Sequence, residues 1–245
     1  MRLSKAWTIA SRDFKIFTKQ RNVWYSVIIF PIITSVIFPV VLSQAINRTN
    51  SIPVATVSNL LNTFSFFLVI GAAFAPLGIA AYSIVGEKVE KSLEPLLATP
   101  ITDGEILLGK AISALVPTLV AMYAGAAIFM IGMDIVTYPK LGYYYFPDFT
   151  IATVTLILMP IASVMSILYS IIVSSRVNDV RSANSYGILM YFPFLGIFLA
   201  SETGIITIDV NTILVISGII LAVDVALFFV STRTFQREEI LTKWK

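Results

Sequence analysis

Long apolar runs separated by short polar segments dominate the chain. Six of these runs approach the roughly 20 residues that a helix needs to cross a bilayer. They cover residues 23–45, 60–85, 105–133, 149–173, 185–200 and 213–230. The fifth run is the shortest and contains Pro193. The pattern therefore predicts an all-α integral membrane protein with six transmembrane helices.

The composition agrees with a protein that has lipid as its main solvent. Of the 245 residues, 57% are hydrophobic and 13% are charged, which leaves too little polar surface to cover a water-soluble globule. Neither cysteine nor histidine occurs in the sequence. Thiol chemistry, a serine–histidine pair and a zinc-bound water are thereby excluded, and we expect no metal site.

The basic residues predict how the spans are oriented, because Lys and Arg near a span remain on the cytoplasmic side. With six spans and both termini inside, 15 of the 17 basic residues are cytoplasmic, and only Arg48 and Lys140 are external. We therefore expect a multi-pass protein of the cell membrane with both termini in the cytoplasm. The net charge of +3 reflects this topology, and no basic face with stacking aromatics indicates nucleic acid.

Residues 1–22 precede the first span and have a helical pattern of their own. Helical spacing places these apolar residues on one side, away from the lysines: Leu3, Ala6, Trp7, Ala10, Phe14 and Phe17. This pattern predicts an amphipathic helix that lies in the cytoplasmic membrane interface. An irregular basic tail is the alternative. Cleavage after Ala45 is disfavoured because the first apolar run is long enough to span the membrane.

Residues 86–104, between the second and third spans, have the most specific pattern in the chain. Val89, Leu93, Leu96 and Leu97 are at helical spacing, and charged residues fill the other faces. Pro95 suits only the first turn of a helix, so the pattern predicts a short helix that starts near residue 92 and stops at residue 100.

The third span should begin with a capping box. Thr102 is placed to accept a hydrogen bond from the Glu105 amide while the Glu105 carboxylate reaches back to Thr102. Ile101 and Ile106 occupy the positions of the hydrophobic staple.

Two fragments imitate nucleotide-binding motifs. Residues 104–111 match a P-loop except at Ala111, where Ser or Thr would bind Mg²⁺, and they open an apolar span with no preceding strand. Residues 220–224 resemble the apolar run and aspartate that hold magnesium in such ATPases, but they lie inside the sixth span. We therefore expect no phosphate site in this chain.

The segment from residue 87 to residue 110 resembles the cytoplasmic loop of type-2 ATP-binding-cassette (ABC) permeases. The shared motifs are Leu-Glu-Pro-Leu-Leu at 93–97, Ala-Thr-Pro at 98–100 and Leu-Gly-Lys at 108–110. Ser92 departs from the Gly-Thr lead-in that is commoner in the family. The resemblance implies an exporter half with six spans, in which residues 1–245 form a single permease domain.

The resemblance also implies partners and a coupling site. A separate nucleotide-binding subunit would carry ATP and Mg²⁺, no cofactor would reside in this chain, and a second permease subunit would complete the pathway. Leucines of the loop would anchor in the ATPase subunit and glutamates would contact its rim. The nominated residues are Glu87, Glu90, Leu93, Glu94, Leu96 and Leu97. The alternative is a solvated hairpin with no partner.

Asp224 is the ionisable residue that lies well inside a span, where a charge is costly. A structural role and a role in transport or gating both fit it. Two other functions remain open for the chain as a whole: a self-sufficient secondary carrier or channel, and a membrane assembly protein. Small residues in the second span, from Gly71 to Ala81, predict close helix packing.

Overall fold

The computed structural model describes residues 3–18, 21–48, 54–87, 101–177 and 179–234. Within these ranges the chain is helical and contains no strand. The helices are α1 (Leu3–Phe17), α2 (Arg21–Arg48), α3 (Val54–Ala81), α4 (Asp103–Leu141), α5 (Phe149–Thr153), α6 (Met159–Arg176), α7 (Val180–Gly187), α8 (Tyr191–Glu202) and α9 (Val210–Thr234). Wide π-helical turns, Tyr82–Gly86 and Val154–Leu158, follow α3 and join α5 to α6. A 3₁₀ turn, Ile188–Met190, joins α7 to α8.

Six helical segments of the described chain are long and apolar enough to cross a membrane, which confirms the predicted number. They are Val27–Ile46, Thr56–Gly86, Asp103–Leu141, Phe149–Arg176, Val180–Glu202 and Val210–Thr234. At 1.5 Å per residue, the third segment is about 58 Å long, whereas the hydrocarbon core is about 30 Å thick. Helix α4 is therefore longer than the hydrocarbon layer is thick.

Helix α3 lies at the centre of the bundle and is the most deeply buried span. Its small residues let α6 approach closely, as the sequence predicted, and two serines of α6 donate hydrogen bonds to α3 carbonyls. Ser163 Oγ is 3.0 Å from the Ala72 oxygen and Ser170 Oγ is 3.4 Å from the Leu77 oxygen. Side-chain hydrogen bonds of this kind hold helices together in lipid.

Helix α2 packs its prolines against glycines of α4. A Cβ atom at Gly125 would lie 2.5 Å from Pro31 Cβ, and one at Gly132 would lie 2.9 Å from Pro39 Cγ. Ser35 Oγ also donates to the Gly125 carbonyl at 2.8 Å. The glycines thus allow a contact between α2 and α4 that a larger side chain would prevent.

The predicted capping box at the start of α4 is confirmed. The Glu105 amide donates to Thr102 Oγ1, and the Thr102 amide donates to Glu105 Oε2 at 3.1 Å. Ile106 is fully buried, with Ile101 packed against its cluster. At the other end, α4 continues eight residues beyond the predicted end of the span, because the hydropathy falls at Asp134 while the helix persists to Gly142, whose φ is +74°.

The fifth span is longer than the sequence pattern indicated. Asp179 caps α7 by accepting from the Ser182 amide at 2.7 Å, so the helix starts before the predicted residue 185. Pro193 lies in the first turn of α8, where a backbone N–H has no partner within the helix. The proline therefore coincides with a junction between two helices and does not break one.

Helix α1 covers most of the predicted N-terminal helix and packs against α4. Ala6, Ile9 and Ala10 are buried in this contact, whereas Trp7 is 56% exposed. Part of the apolar side of α1 is thus covered by protein. Its location in the membrane interface stays a prediction.

Candidate functional site

Five side chains from three separate segments meet at the end of the bundle where α1 packs. Arg12 and Asp13 come from α1, Ser83 from the wide turn after α3, Glu87 from the position that follows this turn, and Lys110 from α4. Lys110 Nζ is 2.7 Å from Glu87 Oε2 and 3.7 Å from Asp13 Oδ2, and Arg12 Nη2 pairs with Glu87 Oε1. We call this group of five residues the ionic cluster.

Lys110 is the centre of the ionic cluster. Its side chain is 1% exposed, and its ammonium donates to the Ser83 carbonyl at 2.5 Å, to Ser83 Oγ at 3.2 Å and to Glu87. A buried ammonium is tolerated only when it is paired and hydrogen-bonded. The wide turn Tyr82–Gly86 supplies both Ser83 acceptors, and Glu87 follows directly after this turn. Such π-helical turns occur frequently at functional sites.

The ionic cluster contains two positive and two negative side chains, so its charges balance. Burial raises the pKa of the Asp13 carboxyl, and the nearby Lys110 opposes that rise. Ser83 Oγ donates to Asp13 Oδ2 at 3.3 Å. The Arg12 side chain is 41% exposed, so the cluster has one edge that reaches solvent.

Gly109 allows α1 to reach the ionic cluster. A Cβ atom at this position would lie 2.8 Å from the Ala6 carbonyl oxygen and 2.9 Å from Ile9 Cβ. Any larger residue would push α1 away from α4. The contact brings Asp13, one turn further along α1, within range of Lys110.

Glu87 is the one nominated coupling residue that the structure describes. It is 5% exposed and holds Arg12 and Lys110, so in this conformation its carboxylate faces other parts of the chain. The other nominated residues lie outside the described residues: Glu90, Leu93, Glu94, Leu96 and Leu97.

Three members of the ionic cluster were not singled out from the sequence: Arg12, Asp13 and Ser83. One available signal was the acidic residue in the otherwise basic N-terminal helix. Lys110 was noted only as part of the motif at residues 108–110 and of the P-loop imitation. The structure places that fragment inside α4, and its lysine binds carboxylates of the same chain.

Asp224 faces the interior of the bundle. It is 5% exposed, and its Oδ1 atom is enclosed without a hydrogen-bond partner in the described part of the chain. Ser217 and Ser231, seven residues away on either side, are buried on the same face of α9. The helix therefore presents a polar stripe to the bundle, while its opposite face is apolar and exposed.

A run of aromatic residues, 143–146, lies at the opposite end of the bundle and is organised by Asp134. Its carboxylate accepts the Tyr145 and Phe146 amides at 2.9 and 3.0 Å, and the Tyr145 hydroxyl donates to Asn62 at 3.1 Å. Tyr144 remains 70% exposed and stacks on Tyr138. The exposed rings agree with an interfacial aromatic belt.

The described residues offer ion pairs and helix contacts but no arrangement that could hold a metal ion with three or more His, Cys, Asp or Glu side chains. A bundle of six apolar spans with an ionic cluster at one end defines a multi-pass membrane protein. The family model described as ABC-2 family transporter protein matches residues 7–223. The chain belongs to this family and is a membrane permease component of an ABC transporter, not its ATPase. No curated protein matches the chain.

Membership of this family favours the permease over both alternatives that the sequence left open, a self-sufficient carrier or channel and an assembly protein. The match includes α1 from residue 7 onward, all of the ionic cluster and residues 87–110, which carried the resemblance.

Proposed function

We propose that this chain is the permease half of an exporter and is driven by a separate nucleotide-binding subunit, which carries ATP and Mg²⁺ and docks on residues 88–100. A second permease subunit completes the pathway. In this proposal the α1 end of the bundle is cytoplasmic, in agreement with the distribution of basic residues.

The observation that supports this proposal most directly is that both ends of the 88–100 segment are fixed to the bundle. Glu87 precedes the segment and is held in the ionic cluster by Arg12 and Lys110. Thr102 follows it and is fixed by the capping box of α4. A displacement of the segment would therefore act on α1, α3 and α4, because the ionic cluster and the capping box join its ends to these helices.

The contact with the ATPase is tested by truncating its proposed anchors. Leu96→Ala and Leu97→Ala should leave the permease inserted but weaken its binding to the ATPase subunit, since loss of a buried anchor costs about 2 kcal/mol or more, roughly a 30-fold loss in affinity. Glu94→Ala should have a smaller effect that depends on salt. Co-purification and ATPase activity in lipid provide the measurements.

An exposed leucine in a span provides the matched control for that experiment. Leu214→Ala changes the same side chain on the outer face of α9, far along the chain from the loop, and should leave ATPase binding unchanged. Normal binding and normal stimulation by a variant with both Leu96 and Leu97 replaced would contradict the coupling assignment.

The topology is tested with single cysteines, since the native chain has none. A cysteine at Lys140 should react with an impermeant maleimide from outside intact cells, whereas one at Arg176 should react only after permeabilisation. Both side chains are exposed at helix ends, so accessibility differs only through the membrane. External labelling at position 176 would overturn the proposed orientation.

A further inference from the structure

A partly open apolar cavity of about 130 Å³ lies where α1 leads into α2. Almost all of the atoms that line it are carbon. The lining comes from four helices and from the residue after α1: Phe14, Phe17, Thr18, Trp24, Val27, Ile79 and Pro117.

The chemistry of the lining selects a hydrocarbon occupant. Cavities of about 150 Å³ lined by Leu, Ile and Phe exclude water and bind apolar molecules, because water would find no hydrogen-bond partners there. Val27 and Ile79 are each 1% exposed and Phe17 is 5% exposed, so the inner wall belongs to the packed core. The Thr18 hydroxyl donates a hydrogen bond to the Lys15 carbonyl at 2.9 Å, so it adds little polarity to the cavity wall.

A positive charge next to the cavity indicates that the polar part of the occupant is anionic. Residues 14–18, which supply three of the seven lining residues, contain Lys15 and no acidic residue. Lys15 is exposed on α1 between the lining residues Phe14 and Phe17. Basic residues at a membrane surface attract anionic lipid headgroups.

We propose that this cavity is a binding site for an anionic phospholipid, with part of one acyl chain between α1, α2, α3 and α4 and the headgroup beside Lys15. A free apolar substrate would use the cavity but would not need the positive charge. A second copy of the protein would cover the opening of the cavity without inserting an acyl chain. The combination of an apolar lining and an exposed lysine next to two of its residues favours the phospholipid.

The proposal is tested by photolabelling of the full-length protein in vesicles of phosphatidylcholine that contain a trace of diazirine-bearing phosphatidylglycerol. Labelled peptides identified by mass spectrometry should concentrate on residues 14–27, with further label near Ile79 and Pro117. Unlabelled phosphatidylglycerol in place of part of the vesicle phosphatidylcholine should reduce the labelling, and the same replacement by the zwitterionic phosphatidylethanolamine should not. Uniform labelling of the apolar faces of α2 and α9, or equal competition by both lipids, would overturn the proposal.

Two exposed threonines, Thr8 in α1 and Thr18 directly after it, provide a matched pair of variants. Thr18→Phe fills the cavity and should remove most of the labelling on residues 14–27. Thr8→Phe makes the same change at an exposed position whose hydroxyl also bonds to a backbone carbonyl, and it should leave labelling intact. Equal labelling of the two variants would contradict the cavity as the site.

The charge component has its own variant. Lys15→Gln should lower the preference for phosphatidylglycerol over phosphatidylcholine by about fivefold, the effect of one lysine near an anionic surface. An unchanged lipid preference in this variant would contradict the headgroup assignment. All of these readouts measure lipid binding, so they are independent of the docking of an ATPase subunit.

Discussion

Replacement of Lys110 by methionine tests whether the ionic cluster holds α1 and α3 to α4. Methionine keeps an unbranched side chain of similar length and removes only the ammonium and its hydrogen bonds. The wild-type ammonium is 1% exposed and binds Glu87 and the Ser83 carbonyl. The variant leaves two buried carboxylates, Glu87 and Asp13, with Arg12 as their single cationic partner in the cluster.

The expected loss of stability follows from the burial of the two carboxylates that the variant leaves behind. Removal of one partner of a buried ion pair costs about 3–5 kcal/mol, because the remaining charge is uncompensated. For a chain of 150–250 residues each kcal/mol lowers the melting temperature by about 2–4 °C. Lys110→Met should therefore melt about 6–20 °C below the wild type.

The assay is thermal unfolding in lipid nanodiscs, followed by tryptophan fluorescence. Lys140→Met is the control, because Lys140 is an exposed lysine near the other end of the same helix, and this variant should melt close to the wild type. Addition of Glu87→Gln to Lys110→Met should recover part of the loss, since it removes one of the unpaired carboxylates. If Lys110→Met lost no more stability than Lys140→Met, the assignment of Lys110 as the centre of the cluster would be wrong.

Three further predictions follow from the same structure. Gly109→Ala should cost about 1–3 kcal/mol because its Cβ would collide with α1, whereas Gly218→Ala, which meets open space, should cost nothing measurable in the same melting assay. Asp224→Asn should preserve the melting temperature, and lost transport with normal stability would assign Asp224 to transport. Burial raises the pKa of Asp13 above its ordinary value, so the wild type should lose stability as the pH rises through that raised pKa. Asp13→Asn cannot ionise, so its melting temperature should rise relative to that of the wild type over the same pH range, as measured by melts at a series of pH values.

The parts of the fold that could be predicted from sequence are those that depend on neighbouring residues. Six apolar runs gave six spans, because each span satisfies its backbone hydrogen bonds within itself. The capping box at Thr102 involves residues three apart, and it appeared as the pattern predicted. The extension of α4 to Leu141 was missed because hydropathy marks the limits of the membrane and not the limits of a helix.

The ionic cluster could not be predicted in the same way, since it joins residues far apart in sequence. Arg12 and Glu87 are separated by 75 residues and Glu87 and Lys110 by 23. Helical spacing shows which face of a segment is apolar, but it does not show which other segment covers that face. For α1 this meant that an interfacial helix was expected where the structure also has protein contacts with α4.

The imitation of a P-loop at residues 104–111 has a physical explanation in the structure. A phosphate loop needs glycine so that a backbone can approach closely, and lysine so that an anion is bound. Here Gly109 lets the backbone of α1 approach closely, and Lys110 binds the carboxylates of Glu87 and Asp13. The same two residue types therefore make a helix contact with a buried counter-charge. In this chain Gly109 and Lys110 thus hold α1 next to Glu87, the residue that precedes the 88–100 segment.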